Sequence, residues 1–224
     1  MSSPDSFIDE VTEEVRRDRL FAAFRKYGWI GVVIVLAIVG GAGYNEWSKA
    51  QAVARAQAFG DGITDAFDLG EPAERRSALS ALAADGGQVA MRQLLLASDP
   101  TQDRPGTLTA LDALAADASQ PQIYRDLAVL RRVTVAGAEQ PIAERRALLE
   151  PLTAPGRAFR TLALEQMAYL LIEEAKSAEA IAALTALLQD QEAPEGLRRR
   201  ASQMIVALGG ELPQADPIPA AQDG

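Results

Sequence analysis

The side chains that most enzymes use for nucleophilic, redox and zinc chemistry are missing from this sequence of 224 residues. It contains no histidine and no cysteine. A Ser-His-Asp or Cys-His system, a zinc site of the usual ligands, a haem histidine and thiol redox chemistry are therefore excluded. What remains for catalysis is carboxylate chemistry of the glycosidase type, in which two acidic side chains flank the scissile bond.

The acidic residues do not form a pattern that indicates such a pair, because most of them fall where a helix would present them to water. No glycine-rich phosphate-binding loop follows a strand pattern. Lys176 lies in a polar turn sequence and Lys49 follows directly on an apolar segment, so neither has the desolvated setting of a nucleophilic lysine. We predict that the protein is not an enzyme and uses no metal or cofactor.

Three residues have types and spacing that could instead bind another polypeptide. Glu165, Tyr169 and Ile172 lie on one face of the chain if this segment is helical. An exposed tyrosine beside carboxylates can grip a peptide; the alternative is that Tyr169 is half-buried in packing between helices. We predict a partner-binding groove at these three residues.

An apolar segment near the start of the chain is the first element that must position such a groove. Tyr27 to Asn45 is a run of 19 residues without a formal charge, which as a helix crosses a hydrocarbon core of about 30 Å. We predict a transmembrane helix at 27–47, with aromatic residues at both interfaces. The predicted interface anchors are Arg25, Lys26, Tyr27, Trp29, Tyr44 and Trp47.

Two alternatives for this segment are a cleaved signal peptide and a helix buried in a soluble core. The leader, positions 1–26, carries acidic side chains throughout its first two thirds, which is unlike the short basic leader of a signal peptide. A buried core helix would not need a segment this long and this apolar.

The basic residues around the span predict its orientation, since only lysine and arginine near the helix ends count. Five precede it and two follow closely: Arg16, Arg17, Arg19, Arg25 and Lys26, then Lys49 and Arg55. We therefore expect residues 1–26 to form a cytoplasmic helical arm and the rest to be exported. The predicted location is a bacterial inner membrane, with residues 48–208 as a periplasmic domain.

The exported part has 25 acidic and 17 basic side chains from Glu46 onward, a net charge of −8. A nucleic acid would be repelled, and no basic stripe with interleaved aromatic residues occurs, so we predict no nucleic-acid binding. Ala, Leu, Arg, Glu and Gln dominate and β-branched residues are few, which predicts an all-α protein. The segment 209–224 loses periodicity and gains proline, which predicts a disordered tail.

Helices are predicted between glycine, proline and aspartate breaks, with 98–107 as the longest internal loop. The predicted helices are Ser48–Phe67, Pro72–Ala84, Gln88–Ala97, Leu108–Ala118, Gln122–Val135, Ile142–Leu152, Arg157–Glu174, Ala178–Gln189 and Glu195–Leu208.

An internal repeat organises these helices. LTALDALAADASQPQIYRDLA from Leu108 aligns without a gap on IAALTALLQDQEAPEGLRRRA from Ile181. A second repeat aligns AERRSALSAL from Ala73 on AERRALLEPL from Ala143, with a similar offset. Half of the number of positions that separate the two segments of either alignment is about 35, close to the 34-residue helix-turn-helix unit of a tetratricopeptide repeat.

The segment from Leu164 fits that unit best. Its first helix has Leu164, Met167, Ala168 and Leu171 where large apolar and small residues are needed; its second has Ala180 and Leu184. Leu187 is bulkier and Pro194 later than the pattern prefers. We predict a transmembrane helix followed by a tetratricopeptide-repeat-like α-solenoid, whose first helices line a concave face containing Glu165, Tyr169 and Ile172.

The order of these elements resembles the YfgM-like family of bacterial inner-membrane proteins, which are ancillary partners of the SecYEG translocon. The resemblance rests on the arm FIDEVTEEVRRDRL, on RKYGW before a single span, on the Ala-rich repeats and on the Pro-rich tail. It implies a periplasmic domain that works beside SecYEG and the PpiD-like chaperone and helps exported polypeptides. The alternative is a scaffold or assembly factor for another envelope complex, such as a respiratory or division assembly.

Overall fold

The structure is a computed structural model that describes the backbone of residues 4–213 and the side chains of residues 25–213. That part of the chain contains nine α-helices and no strand, so the prediction of an all-α protein is confirmed. The helices are α1 Pro4–Asp68, α2 Pro72–Ala81, α3 Gly87–Leu96, α4 Arg104–Ala116, α5 Gln122–Ala136, α6 Ile142–Leu149, α7 Arg160–Glu173, α8 Ser177–Gln189 and α9 Glu195–Ala207. Short 3-10 turns cover Gly137–Glu139 and Glu150–Thr153.

Helix α1 runs for 65 residues and includes both the apolar segment 27–47 and the predicted helix Ser48–Phe67. Neither predicted boundary of the span coincides with a break in this helix. The helix ends just before Gly70, and Pro72 then starts α2 at its first position, where the missing proline N–H leaves no hydrogen bond unmade. The chain divides into two compact units, Met1–Asp61 and Gly62–Gly224.

The ends of the predicted arm and tail lie outside the described residues. Residues 1–3 and 214–224 are not described, and for residues 4–24 only the helical backbone is. Of the predicted tail, residues 209–213 follow α9 without forming a helix.

Helices α2 to α9 begin and end within four residues of their predicted bounds. The largest difference is at α4, which starts at Arg104, inside the segment predicted as a loop. Asp103 is the N-cap, and its side chain accepts a hydrogen bond from the Gly106 N–H at 2.9 Å. Pro105 lies in the first turn, where proline is tolerated, so it does not block the helix as the prediction assumed.

The sequence repeat corresponds to equivalent helices. The alignment of Leu108 on Ile181, extended in both directions, matches three helix starts of the first half to three of the second: Gly87 to Arg160, Arg104 to Ser177, and Gln122 to Glu195. The turns between them also match, since Asp117 and Asp190 each accept a 2.9 Å hydrogen bond from the backbone N–H two residues later. Each turn then leads through proline, Pro121 or Pro194, into the next helix.

The core of the second unit is a row of three apolar clusters, each shared between successive helices. Leucines spaced three apart recur in α2 with its C-cap residue, in α4, in α6 with its following turn, and in α8; all are buried except the half-buried Leu82. They are Leu79, Leu82, Leu111, Leu114, Leu149, Leu152, Leu184 and Leu187. The intervening helices present fully buried alanines, which let the backbones approach closely: Ala90, Ala128, Ala163 and Ala201.

Candidate partner-binding surface

Two of the three predicted groove residues are in direct contact on α7. The Tyr169 hydroxyl donates a 2.9 Å hydrogen bond to Glu165 Oε1, as their spacing of four residues on a helix allows. Glu165 is only 2% exposed, and Tyr169 is half-buried.

A residue that the sequence reasoning missed holds the Glu165 carboxylate. Arg200 on α9 donates from Nε to Glu165 Oε1 at 2.8 Å and from Nη2 to Oε2 at 2.7 Å. This bidentate geometry ties α9 to α7. The pair is asymmetric, because the Arg200 side chain is 51% exposed while the Glu165 side chain is almost wholly covered.

The electrostatics of this cluster follow from burial and from the ion pair. Burial raises the pKa of Tyr169, and the hydrogen bond to the Glu165 carboxylate raises it further. The hydrogen bonds from Arg200 to Glu165 raise the pKa of the Arg200 guanidinium. Both groups therefore keep their protons at neutral pH, and the accessible charge of the cluster is the cationic edge of Arg200.

Ile172 lies less than one turn after Tyr169 on the same helix and is half-buried. The groove at Glu165, Tyr169 and Ile172 stays a prediction. The geometry limits which groups a bound ligand could contact there. A ligand would meet the Tyr169 ring and the exposed side of Arg200, because the Glu165 oxygens already accept three hydrogen bonds.

The same kind of link recurs along the domain. Arg157, before α7, donates at 2.7 Å to Asp126, a buried carboxylate on α5 that also accepts from Gln122. Arg131 on α5 donates at 2.7 Å to the carbonyl of Ala97 after α3. Each arginine bonds to a group 31 to 35 residues away, about one helical pair along the chain.

The arginine-rich composition was the signal that could have found these links. All but three of the 22 basic residues are arginine, whose planar guanidinium serves carbonyl and carboxylate acceptors at once. Arg104 does both, bonding to the Val135 carbonyl at 3.0 Å and to the Glu139 carboxylate. Some of the carboxylates that helical spacing predicted to face water therefore bind arginines within the fold.

A second cluster joins α6 to the end of α7. Arg145, itself buried, donates through both terminal nitrogens to Glu173, and Arg146 pairs with Glu174 at 2.9 Å. The hydrogen bond from Arg145 lowers the pKa of the Glu173 carboxyl group. The hydrogen bonds from Lys176 and then Arg146 lower the pKa of Glu174 in the same direction.

An open cleft of about 660 Å³ lies at the other end of the repeat, between α2, the end of α3 and the loop before α4. Its lining combines Arg75 and Arg76 with three acidic residues, Glu71, Asp99 and Asp103, and with the apolar side chains of Leu79, Leu95 and Leu96. Among the residues that the structure describes, no group of three acidic side chains is placed to hold a metal ion.

The apolar part of α1 has the exposure that a membrane-facing helix requires. One helix, Arg25–Asp68, is long and apolar enough near its start to cross a membrane, and none of its most apolar stretch is buried. The predicted aromatic anchors Tyr27, Trp29, Tyr44 and Trp47 are 55 to 69% exposed. Arg25 and Lys26 are exposed as well, and the Lys26 ammonium lies 5.4 Å from the centre of the Tyr27 ring.

Comparison of the chain with protein-family models, with curated proteins and with solved structures finds no match. The structure therefore defines the chain, over its described residues, as an all-α protein with one long apolar helix near its start followed by packed helical pairs.

Proposed function

We propose that this protein is a single-pass membrane protein whose exported helical domain binds other polypeptides. The observation that carries the proposal is the repeated helical pair, which recurs with the same buried leucines and alanines along residues 72–207. A row of such pairs presents a long surface for binding. The chain has neither histidine nor cysteine with which to catalyse a reaction there.

The finer fold that we propose is a tetratricopeptide-repeat-like solenoid. The first buried leucines of the four second helices, Leu79, Leu111, Leu149 and Leu184, recur at a mean interval of about 35 positions, close to the 34-residue unit. In this arrangement α3, α5, α7 and α9 are the first helices, which line the concave side of such solenoids. The Glu165, Tyr169 and Arg200 cluster lies on two of them.

The membrane part of the proposal rests on α1. The span is residues 27–47, with the anchors described above at the headgroup level and residues 1–26 in the cytoplasm, where the larger number of basic residues is retained. Anchoring confines the domain near the membrane, so its effective concentration beside an export channel reaches roughly the millimolar range. Weak intrinsic affinity for exported chains would then be sufficient.

The resemblance to the YfgM-like family supplies the partner. We propose that the domain works beside SecYEG and a PpiD-like chaperone in the bacterial inner membrane and contacts polypeptides as they emerge. Because the domain is acidic, its concave surface taken as a whole would favour basic or amphipathic segments of those polypeptides.

Orientation can be tested first, because the chain has no native cysteine. A single cysteine at Ser80, which is exposed, should react with a membrane-impermeant thiol reagent added to spheroplasts. A single cysteine at Ser6 should react only after the membrane is opened. The reverse labelling pattern would refute the proposed orientation, and release of the Ser80 form into the soluble fraction would indicate a cleaved signal peptide.

The partner is tested by photocrosslinking in native membranes from Gln203, an exposed residue one turn after Arg200 on α9. A probe at Ala186, exposed on α8, is the matched control for capture outside the concave side. We expect Sec subunits, the chaperone or assorted exported chains at Gln203 and little at Ala186. Capture of one subunit of an unrelated membrane complex, with no Sec subunit, would instead make the protein a dedicated scaffold.

A further inference from the structure

The two halves of the repeat differ at the end of one helix. Helix α3 has 10 residues and the equivalent α7 has 14, although their starts are matched by the repeat. Pro100 and the aspartate before it explain the early end, since proline has no N–H to donate and disfavours helical geometry in the preceding residue. The last turn of α7, Leu170–Glu173, therefore has no counterpart in the first half.

That last turn and the C-cap residue that follows it supply acidic partners to two arginines in the second half. Glu173 receives two hydrogen bonds from Arg145, one of them 2.8 Å from Nη1, and Glu174 lies 2.9 Å from Arg146. These arginines correspond to Arg75 and Arg76 of the first half through the repeated sequence AERR.

Arg75 lacks the partner that Arg145 has. Its Nη2 donates to the Leu69 carbonyl at 3.2 Å, and its guanidinium lies 5.5 Å from the Phe67 ring. Within residues 25–213, its buried Nε has no hydrogen-bond acceptor, and no carboxylate lies within ion-pair distance of it. Arg76 differs, because Asp103 already lies 2.8 Å from its Nε.

The hydrogen bond from the Thr101 hydroxyl lowers the pKa of Asp99 most, and the charge of Arg75 lowers it least. Asp99 accepts hydrogen bonds from the Thr101 hydroxyl at 2.6 Å and from the backbone N–H groups of Thr101 and Gln102. It thus closes the loop that follows α3 and does not form an ion pair with Arg75.

The open cleft of about 660 Å³ lies beside the end of α3, and Arg75 lines it together with Ser98 and Asp99 from the segment that follows α3. Its apolar walls are Leu79, Leu95 and Leu96, which matches the mixed character of the α7 segment LLIEE, two leucines and an isoleucine before two carboxylates. Of the carboxylates in the lining, Asp103 pairs with Arg76 and Asp99 accepts from the Thr101 hydroxyl. The guanidinium of Arg75, which has no carboxylate partner among the described residues, can therefore recognise a carboxylate presented after apolar side chains.

We propose that this cleft binds an acidic segment of a partner polypeptide, apolar residues followed by two carboxylates, as a substitute for the last turn that α3 lacks. The second half of the same chain supplies the argument, because it displays the equivalent site filled by such a segment. The chain's own C-terminal tail is a poorer occupant. Its acidic residues Glu211, Asp216 and Asp223 each follow glycine, alanine or glutamine, with no run of large apolar residues before them.

Binding is measured with the full chain in mild detergent and a fluorescent peptide, MAYLLIEEAK, which copies Met167–Lys176. We expect saturable binding by fluorescence anisotropy. Arg75→Gln should weaken it at least tenfold, while Arg199→Gln, which changes an exposed arginine on α9, should leave it unchanged. Because Arg75→Gln could also disturb α2, the peptide carrying Glu173→Gln and Glu174→Gln serves as the second arm, and we expect it to bind at least tenfold more weakly to the unaltered protein.

Equal binding of the Glu and Gln peptides would overturn the proposal, as would failure of the wild-type chain to bind at millimolar peptide. If a chain ending at Pro213 binds the peptide and the full chain does not, the tail occupies the cleft and the assignment to a partner is wrong. The cleft is lined by none of the residues of the Tyr169 cluster. A negative peptide result would therefore leave the crosslinking test of the membrane partner unaffected.

Discussion

Removing Arg200 should destabilise the domain far more than removing its neighbour Arg199, although both belong to the same run of arginines on α9. Arg200 covers Glu165, whose side chain is 3% exposed, whereas Arg199 pairs at 3.6 Å with Glu195 where the two side chains are 69% and 90% exposed. In Arg200→Ala the buried carboxylate keeps only the Tyr169 hydroxyl as a donor.

The expected magnitude follows from that burial. Breaking a buried ion pair by removing one partner costs about 3–5 kcal/mol because an uncompensated charge remains. Arg200 is itself half exposed, so its removal admits water to Glu165, and we expect a loss of about 2–3 kcal/mol in the free energy of unfolding. The exposed Arg199 pair should be worth about 0.3–0.5 kcal/mol at most.

The assay is urea unfolding of the full chain in detergent, followed by circular dichroism, for the wild type, Arg200→Ala, Arg199→Ala, Glu165→Gln and the double variant Arg200→Ala with Glu165→Gln. If the loss in the free energy of unfolding comes from the uncompensated charge of Glu165, Arg200→Ala should cause a smaller loss in the Glu165→Gln background than alone. Equal losses for Arg200→Ala and Arg199→Ala would refute the reasoning, and so would additivity in the double variant.

Three further predictions use the same unfolding measurement. Ala168→Leu should lower the free energy of unfolding by about 1–3 kcal/mol, because Ala168 is fully buried against the core of α8 and α9; an unchanged midpoint would mean that the proposed repeat register is wrong. Gly106→Ala should cost about 1–2 kcal/mol, since a Cβ there would overlap the Arg76 guanidinium and the capping carboxylate; no loss would show that Arg76 moves freely. Hydrogen bonding and ion pairing with Arg145 depress the pKa of Glu173. The contribution of this ion pair to the free energy of unfolding is therefore present above the unfolded pKa of about 4.3 and is lost as pH falls further. The difference in the free energy of unfolding between wild type and Arg145→Gln should therefore shrink below about pH 4, and a difference independent of pH would contradict the assignment.

Sequence reasoning found the helices well where alanine and leucine runs are bounded by glycine, proline and aspartate. Helices α2 to α9 are within four residues of expectation for that reason. It failed at α4, because Pro105 was read as a loop residue although proline is acceptable in the first turn after an aspartate N-cap. The boundaries of the span were not marked by helix breaks, because alanine and glutamine after Trp47 continue α1 without interruption.

The groove residues illustrate what helical spacing alone cannot supply. Spacing placed Glu165 and Tyr169 on one face, and the hydrogen bond between them agrees with it. It could not indicate that Arg200, 35 residues later, covers that carboxylate. Such a partner depends on how α9 packs on α7, which is a tertiary property.

The sequence by itself determined the helical class, the apolar segment long enough to cross a membrane, the absence of catalytic histidine and cysteine, and the two internal repeats. These follow from local propensity, hydropathy and residue identity, which need no long-range contact to be read. Only the tertiary structure decided which carboxylates are free and which are engaged. It showed that Glu165, Asp126 and Glu173 hold arginines from other parts of the fold, whereas Arg75 faces an open cleft without a carboxylate within ion-pair distance in the described part of the chain. The physical reason is that an ion pair depends on the distance between side chains far apart in sequence, and packing alone sets that distance.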